Sequence, residues 1–255
     1  MMARAGGNKG YGTYGNSSVQ YAAGRKGFPI ATVEFIISQI TCTAPILLDL
    51  GCGTGIATRQ LAARVGKVVG CDPDIRMVLK ALQEQHKGVA YALGNAEHIP
   101  WSADTFDAVT CFSSFHWFDT ERALDEIWRV LRNGGIVAIS NKEEAGCLKQ
   151  EYRALVKKYT NEILPDVKET YQPLQKLTRY GFSEVDGDSV QVIERYTLDE
   201  AIDYLQSMSL WNLIPKHLKM AASEELRAFC YSRSNAGVLE RPITVTTVIG
   251  RKIVQ

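Results

Sequence analysis

A doubly wound α/β fold with a mostly parallel sheet is the prediction for this chain, and three observations carry it. Short buried apolar runs alternate with amphipathic helical segments from about residue 46 to residue 140. That alternation marks βαβ units, whose strands run parallel. A glycine-rich turn, Gly51-Cys-Gly-Thr-Gly55, joins the first run to the helix after it, and an acid, Asp72, closes the second run. Right-handed crossovers then place a ligand crevice at the carboxyl ends of the strands.

The elements follow in order. Residues 1–20 are rich in Gly, Ser, Asn and Tyr without a hydrophobic period, which predicts a mobile tail or flap over residues 1–27, able to order over a ligand. Phe28–Ile40 fits a helix, with Pro29 near its first turn. Strands are expected at Ile46–Leu50, Val68–Cys71, Val89–Leu93 and Phe106–Cys111, and helices through Leu61–Val65 and over Ile75–Gln85. From Thr120 to Leu131, Leu124, Ile127, Trp128 and Leu131 recur at helical spacing on one buried face, with Asp119 or Thr120 available as the cap. Asn133-Gly134-Gly135 is expected to stop that helix, and Ile136–Ser140 to begin the next strand.

Beyond residue 141 the rhythm changes. Helices are expected near Leu148–Asn161 and Gln172–Tyr180, a strand at Val190–Tyr196, and a helix from the capping-box sequence Thr197-Leu-Asp-Glu200 to about Met208. Ser223 is read as the cap of a helix through Phe229, and Ile243–Ile249 as a late strand closed by Gly250-Arg-Lys. The expected division is the flap, 1–27, then one domain, 28–255, with helical lid elements within about 145–240.

Composition narrows the partners. With 29 Lys+Arg against 28 Asp+Glu the formal net charge is +1, which argues against a general nucleic-acid binder. Arg4, Lys9, Arg25 and Lys26 precede the first acid, Glu34, so a local +4 remains in the first 33 residues. No apolar run approaches the roughly 18 residues of a membrane span. The N-terminus lacks the apolar core of a secretory signal. Six scattered cysteines without a C-x-x-C pair read as reduced thiols in a cytoplasmic protein, with no metal site.

The chemistry concentrates at the glycine turn. Glycines let the backbone turn sharply and approach a ligand, and the amides that open the following helix favour an anionic or polar group. A dinucleotide fingerprint starting at Gly51 requires glycine at 56, where the chain has Ile56, and the Gly-Lys-Ser/Thr ending of a P-loop is absent. Asp49 ends the first strand, in place to meet an ammonium group; Asp72, 21 residues after Gly51, is placed to accept from both ribose hydroxyls.

Asp49-Leu-Gly51-Cys52-Gly53-Thr-Gly55 followed by Asp72 resembles the Rossmann-like, S-adenosylmethionine-dependent methyltransferases. Further stretches extend the likeness. Asp72-Pro73-Asp-Ile-Arg-Met77 resembles that family's ribose acid and the Met that packs on adenine; core filling is the other reading of Met77. Gly94-Asn95-Ala96-Glu97 with Ile99-Pro100-Trp101 resembles its G-D-A-E-x-L-P-F stretch, with Asn95 replacing the acid that binds the adenine amino group. Arg129-Val-Leu-Arg-Asn-Gly-Gly135 resembles its R-V-L-R-P-G-G turn. The resemblance covers about residues 45–140. It implies a seven-stranded sheet with the last strand antiparallel, S-adenosylmethionine as cofactor, and a small-molecule acceptor.

Acceptor candidates come from three places. Ser113-Ser-Phe-His116-Trp117-Phe follows the fourth strand, and in the resembling family this segment lines the transfer site. His116 is read as a base or as a group that orients an acceptor oxygen, against the alternative of a packed histidine. Tyr21-Ala-Ala-Gly-Arg25 resembles the family's segment that folds over the methionine part of the cofactor; a solvated basic turn is the alternative for Arg25. Tyr204-Leu-Gln-Ser-Met-Ser-Leu-Trp211 resembles a segment of methyltransferases related to trans-aconitate methyltransferase, where Trp211 walls the pocket or packs a helix. Arg195 and Arg233 are candidates for holding an acidic substrate, and Asp107, at the start of the fourth strand, is read as structural. The expected reaction is methyl transfer to a carboxyl or hydroxyl oxygen. C-methylation of a quinone or polyketide-like compound, and cofactor binding without turnover, are the alternatives.

Overall fold

The computed structural model describes residues 18–118, 120–161, 164 and 172–254. The chain divides into two compact units. A sheet unit takes in Lys26–Glu143, Lys168–Val192 and Thr244–Gln255, and an accessory unit takes in Met1–Arg25, Glu144–Val167 and Ile193–Ile243.

The strands are β1 (Leu47–Leu50), β2 (Val68–Asp72), β3 (Val89–Leu93), β4 (Phe106–Phe112), β5 (Leu131–Glu144), β6 (Ser183–Thr197) and β7 (Val238–Arg251). The helices are α1 (Ser18–Gly24), α2 (Ile30–Ser38), α3 (Ile56–Val65), α4 (Ile75–Gln83), α5 (Glu121–Val130), α6 (Leu148–Lys158), α7 (Pro173–Tyr180), α8 (Leu198–Gln206) and α9 (Lys219–Arg233).

The strands form one seven-stranded sheet in the order β3-β2-β1-β4-β5-β7-β6. The pairs β1–β2, β1–β4, β2–β3 and β4–β5 are parallel. β7 runs the other way. Lys252 exchanges backbone hydrogen bonds with Gly134 and Gly135, Ser140 Oγ meets Thr247 Oγ1 at 2.8 Å, and Ala145 N donates to Pro242 O, so β7 recedes as β5 advances. β6 opposes β7 by the same logic, with Glu184 against Arg251 and Arg195 against Glu240. The parallel sheet with a reversed β7 is the architecture the sequence implied.

Strand geometry sends alternate side chains to opposite faces, which builds the layers. Leu48, Val109 and Val137 pack with Leu124, Ile127 and Val130 of α5, while Leu47, Ala108 and Ile136 pack with Val33 and Ile36 of α2 and Leu61 of α3. The accessory unit has its own core, in which Tyr152 and Val156 of α6, Tyr204 and Leu205 of α8, and Leu226 and Cys230 of α9 are buried.

Several boundaries differ from the sequence reading. Ser18–Gly24 of the expected tail is helical with Gly24 buried, and residues 1–17 of that expectation, like Asp119 as a cap, lie outside the described residues. Asn133-Gly134-Gly135 lies inside β5. There the register against β4 jumps from Phe106↔Leu131 to Ala108↔Ile136, so extra residues of β5 are accommodated as an irregularity containing Gly134 at φ 82°. β6 begins well before the expected Val190, because its first residues are mostly polar and exposed and give no apolar signal; β7 begins before the expected Ile243, at Val238 and Leu239, which Glu240, Arg241 and Pro242 separate from the β-branched run. Ser223 does not cap α9, which starts four residues earlier at Lys219. The capping box is present: Thr197 Oγ1 accepts from Glu200 N while Glu200 Oε2 accepts from Thr197 N.

Candidate functional site

The chain leaves β1 through Gly51, Gly53 and Gly55, at φ 71°, 55° and 76°. A side chain is disfavoured there by the left-handed backbone and by space. A Cβ on Gly51 would stand 2.6 Å from Ser114 Cβ, and one on Gly55 would stand 2.1 Å from the Tyr91 hydroxyl. The turn is fastened over the end of β2, because Gly51 N and Cys52 N both donate to Cys71 O, at 2.8 and 3.1 Å. β1 lies between β2 and β4, where the strand order reverses. This is the position at which doubly wound sheets hold their ligands.

Two carboxylates flank the turn. Asp49 is 1% exposed and accepts from Thr58 Oγ1 at 2.6 Å and from Thr110 Oγ1 at 3.2 Å. Burial pushes its pKa up to about 6, against the pull of those two hydroxyls, and the charge of Asp72 adds to the rise. Asp72 Oδ2 accepts from Gly53 N at 2.8 Å and its Oδ1 from Asp74 N at 2.9 Å. Burial raises its pKa too, and the two amides restrain the rise. One backbone amide on each oxygen fixes the carboxylate plane and leaves lone pairs for a further donor.

The stretch after β3 is built as a platform. Gly94 N donates to Asp72 O, and Ala96 and Ile99 are buried while Asn95 is exposed. Arg129 holds the stretch in place, donating to Trp101 O at 2.7 Å and Ile99 O at 3.0 Å, and its partner Glu126 accepts from Ile99 N at 2.8 Å. Glu97 is tied to α5 through Thr120 and Arg122. Pro73 is exposed at the head of α4, whereas Met77 is 3% exposed on its inner face.

At the end of β4, Ser113 takes a left-handed backbone, φ 50°, and its N–H donates to Ser140 O at 2.8 Å. Such strain in a residue with a Cβ tends to gather at ligand sites. Ser114 Oγ donates to Leu50 O at 2.7 Å, which ties this turn to the glycine turn. A single 3-10 turn, Phe115–Trp117, follows; Phe115 is buried, and the half-buried rings of His116 and Trp117 lie 4.9 Å apart. Asp107 is structural, as expected, holding Ile46 N at 2.8 Å and Arg132 at 2.7 Å.

The remaining candidates belong to the accessory unit. Arg25 stacks over the Tyr21 and Tyr204 rings and donates through Nε to Ser207 Oγ at 2.9 Å. Trp211 is 5% exposed in that unit's core, with Lys219 over its ring. Arg195 and Arg233 are surface residues paired with Glu240 and Glu151.

Sequence reasoning missed several supports. Thr58 and Thr110 hold Asp49. Gln60 brackets Phe28 through its backbone N and O, and Lys142 donates to Lys26 O and Gly27 O, pinning the strap before α2. Thr54, within the glycine turn, is 1% exposed with a hydroxyl that has no partner among the described residues. Only Thr54 lay inside a motif; the others come from distant elements.

Residues 48–139 match the family described as Methyltransferase domain. An uncharacterized methyltransferase of Mycobacterium tuberculosis is 36% identical over 123 residues, 48% of this chain, and the chain spans about half of that relative's length, 49%. Among solved structures, a proposed type II methyltransferase of Anaeromyxobacter dehalogenans superposes with a TM-score of 0.66 at 21% identity, over 90% of this chain and 97% of that one. The phosphoethanolamine N-methyltransferase 2 of Haemonchus contortus, complexed with phosphomonomethylethanolamine and S-adenosylhomocysteine, gives 0.55 at 20% identity, over 94% of this chain and 58% of that one. The cofactor of such a domain is S-adenosylmethionine, and the donor set fits it. Two carboxylates flank the turn and suit a ligand with cationic centres and vicinal hydroxyls, and a buried threonine hydroxyl lacks a partner. Residues 48–139 carry the match to a methyltransferase domain, and they lie in a sheet of Rossmann-like strand order.

Proposed function

We propose that the chain transfers a methyl group from S-adenosylmethionine to a small-molecule acceptor, at a carboxyl or hydroxyl oxygen. One observation carries this: the left-handed glycines of the turn, Gly51, Gly53 and Gly55, stand between Asp49 and Asp72 where the strand order reverses. In this reading Asp72 receives the ribose hydroxyls, and Asp49 faces the ammonium end. Pro73, Met77, Asn95, Ala96 and Glu97 surround the adenine. Gly51, Cys52, Gly53, Gly55 and Ser113 supply close-approaching backbone, and Tyr21 and Arg25 serve the methionine end. Tyr21, His116, Trp117 and Trp211 belong to the acceptor. The likeness of Tyr204–Trp211 to the trans-aconitate methyltransferase group supports a small acidic acceptor.

When bound, the cofactor supplies an electrophilic methyl on sulfur. The residues of the chain then have to hold acceptor and methyl in line and exclude water. A carboxylate acceptor needs no base. A hydroxyl must lose its proton, and His116 is the group proposed to take it.

Transfer of labelled methyl to a panel of acids, phenols and alcohols tests this. Alkali-labile label marks a carboxyl ester, and alkali-stable label extractable as an ether marks a hydroxyl product. With a hydroxyl acceptor His116→Ala is expected to lower kcat about a hundredfold or more; with a carboxylate it changes little. Carbon-bound label, or cofactor binding with no transfer to any acceptor, overturns the proposal.

A further inference from the structure

Within the sheet unit, the glycine turn has a wedge behind it. Tyr91, in the middle of the edge strand β3, pairs with Gly70 of β2. Its ring lies across Gly70, where a Cβ would stand 2.6 Å from Tyr91 Cδ1 and 2.9 Å from Cys52 Sγ. The far end of the ring reaches Gly55, where a Cβ would stand 2.1 Å from the hydroxyl oxygen and 2.6 Å from Cζ. Two glycines thus leave the room that one ring fills. Arg59, in the first turn of α3, completes the arrangement. Its Nη1 donates to Thr54 O at 2.9 Å and, over a longer 3.4 Å, to the Tyr91 hydroxyl. The turn is therefore fastened in three places. Gly51 and Cys52 donate to Cys71 O, Gly53 donates to Asp72 Oδ2, and Thr54 and Gly55 rest on Arg59 and Tyr91.

We propose that Tyr91 and Arg59 are positioning residues for the cofactor, setting the place of the Thr54–Gly55 backbone that opens α3; the inference rests on the methyl-transfer reading above. A glycine turn has wide conformational freedom, and a ligand that binds it has to remove that freedom. A ring packed against Gly55 and a guanidinium on Thr54 O remove it beforehand. The amides at the start of α3 then hold their place before the ligand arrives. The bulk of the ring and the bond to Thr54 O carry this role, since the bond between Arg59 and the Tyr91 hydroxyl is long. The third glycine of the turn acquires a second reason to be glycine. At Gly55 a side chain is excluded by Tyr91, independently of any ligand.

Calorimetric titration with S-adenosylhomocysteine, paired with thermal unfolding, tests this on wild type and four variants. Tyr91→Leu removes the ring, Tyr91→Phe keeps it, and Arg59→Met keeps the stem without the donors. Val89→Ala trims a half-buried side chain of the same strand, away from the turn. Tyr91→Leu and Arg59→Met are expected to weaken binding about tenfold or more with the stoichiometry unchanged. Tyr91→Phe is expected to stay within about threefold of wild type. Val89→Ala is expected to unfold earlier and to bind as wild type does. A role confined to stability is recognised by a falling stoichiometry at unchanged affinity, and that result overturns the inference. So does wild-type affinity in Tyr91→Leu and Arg59→Met, or an equal loss of affinity in Val89→Ala. A loss in Tyr91→Phe as large as in Tyr91→Leu also overturns it, since the hydroxyl and not the ring would then be at work. Should Tyr91→Leu not fold, Arg59→Met decides alone. Failure of wild type to bind S-adenosylhomocysteine would remove the methyl-transfer reading, and this inference with it; binding by wild type with unaffected variants removes this inference only.

Discussion

Asp49 shows how far a single side chain can be followed. Its pKa is raised from 3.8 to about 6, chiefly by burial. The sign follows from linkage. A carboxyl group raised in the folded state favours folding fully below the unfolded pKa, and that advantage is lost as pH rises through the folded value. At about 1.4 kcal/mol per unit, the loss between pH 4 and 6 amounts to about 3 kcal/mol. Asp49→Asn removes the titration. Unfolding free energies measured across pH 4–7 are expected to shift in the variant's favour by up to that amount between pH 4 and 6, then run parallel. Curves parallel throughout would contradict the burial argument. The residue type and strand-end position of Asp49 were legible in the sequence. Its partners were not, since Thr58 lies a helix turn beyond the loop and Thr110 on another strand. The surface partners of Arg195 and Arg233, Glu240 and Glu151, were not legible either, since an arginine in a sequence does not show which glutamate the fold brings beside it.

Elements were legible where the local signal was strong. α5 carries Leu124 and Ile127 on one buried face and is capped by Thr120 Oγ1, which accepts from Ala123 N at 3.2 Å. α8 opens with both halves of its capping box. Thr197→Ala is expected to cost about 1 kcal/mol in urea unfolding, because the Glu200 amide loses its acceptor. No loss would mean that the accessory unit does not depend on this cap. Legibility failed where polar residues enter regular structure. The first half of β6 is exposed, so its pattern shows no buried face, and the start of α9 has no side-chain cap to announce it. The strand through Asn133-Gly134-Gly135 was hidden for a different reason. Its glycines read as a turn, and only pairing with Lys252 makes them part of the sheet.

At the scale of the molecule, the alternation of strands and helices was enough to predict a parallel sheet. The reversed β7 came from resemblance and is present in the structure. The existence of a second compact unit, assembled from three separated stretches, has no local signature, because it depends on contacts between segments distant in sequence. The central claim is that the glycine turn and Asp72 bind the nucleoside of S-adenosylmethionine. Titration calorimetry with S-adenosylhomocysteine tests it most directly, on wild type and on Asp72→Asn. Wild type is expected to bind one equivalent, and Asp72→Asn to weaken binding about tenfold or more, since an acceptor for a ribose hydroxyl is lost. Absence of binding heat in wild type across a range of temperatures, or equal affinity in the two proteins, would contradict it.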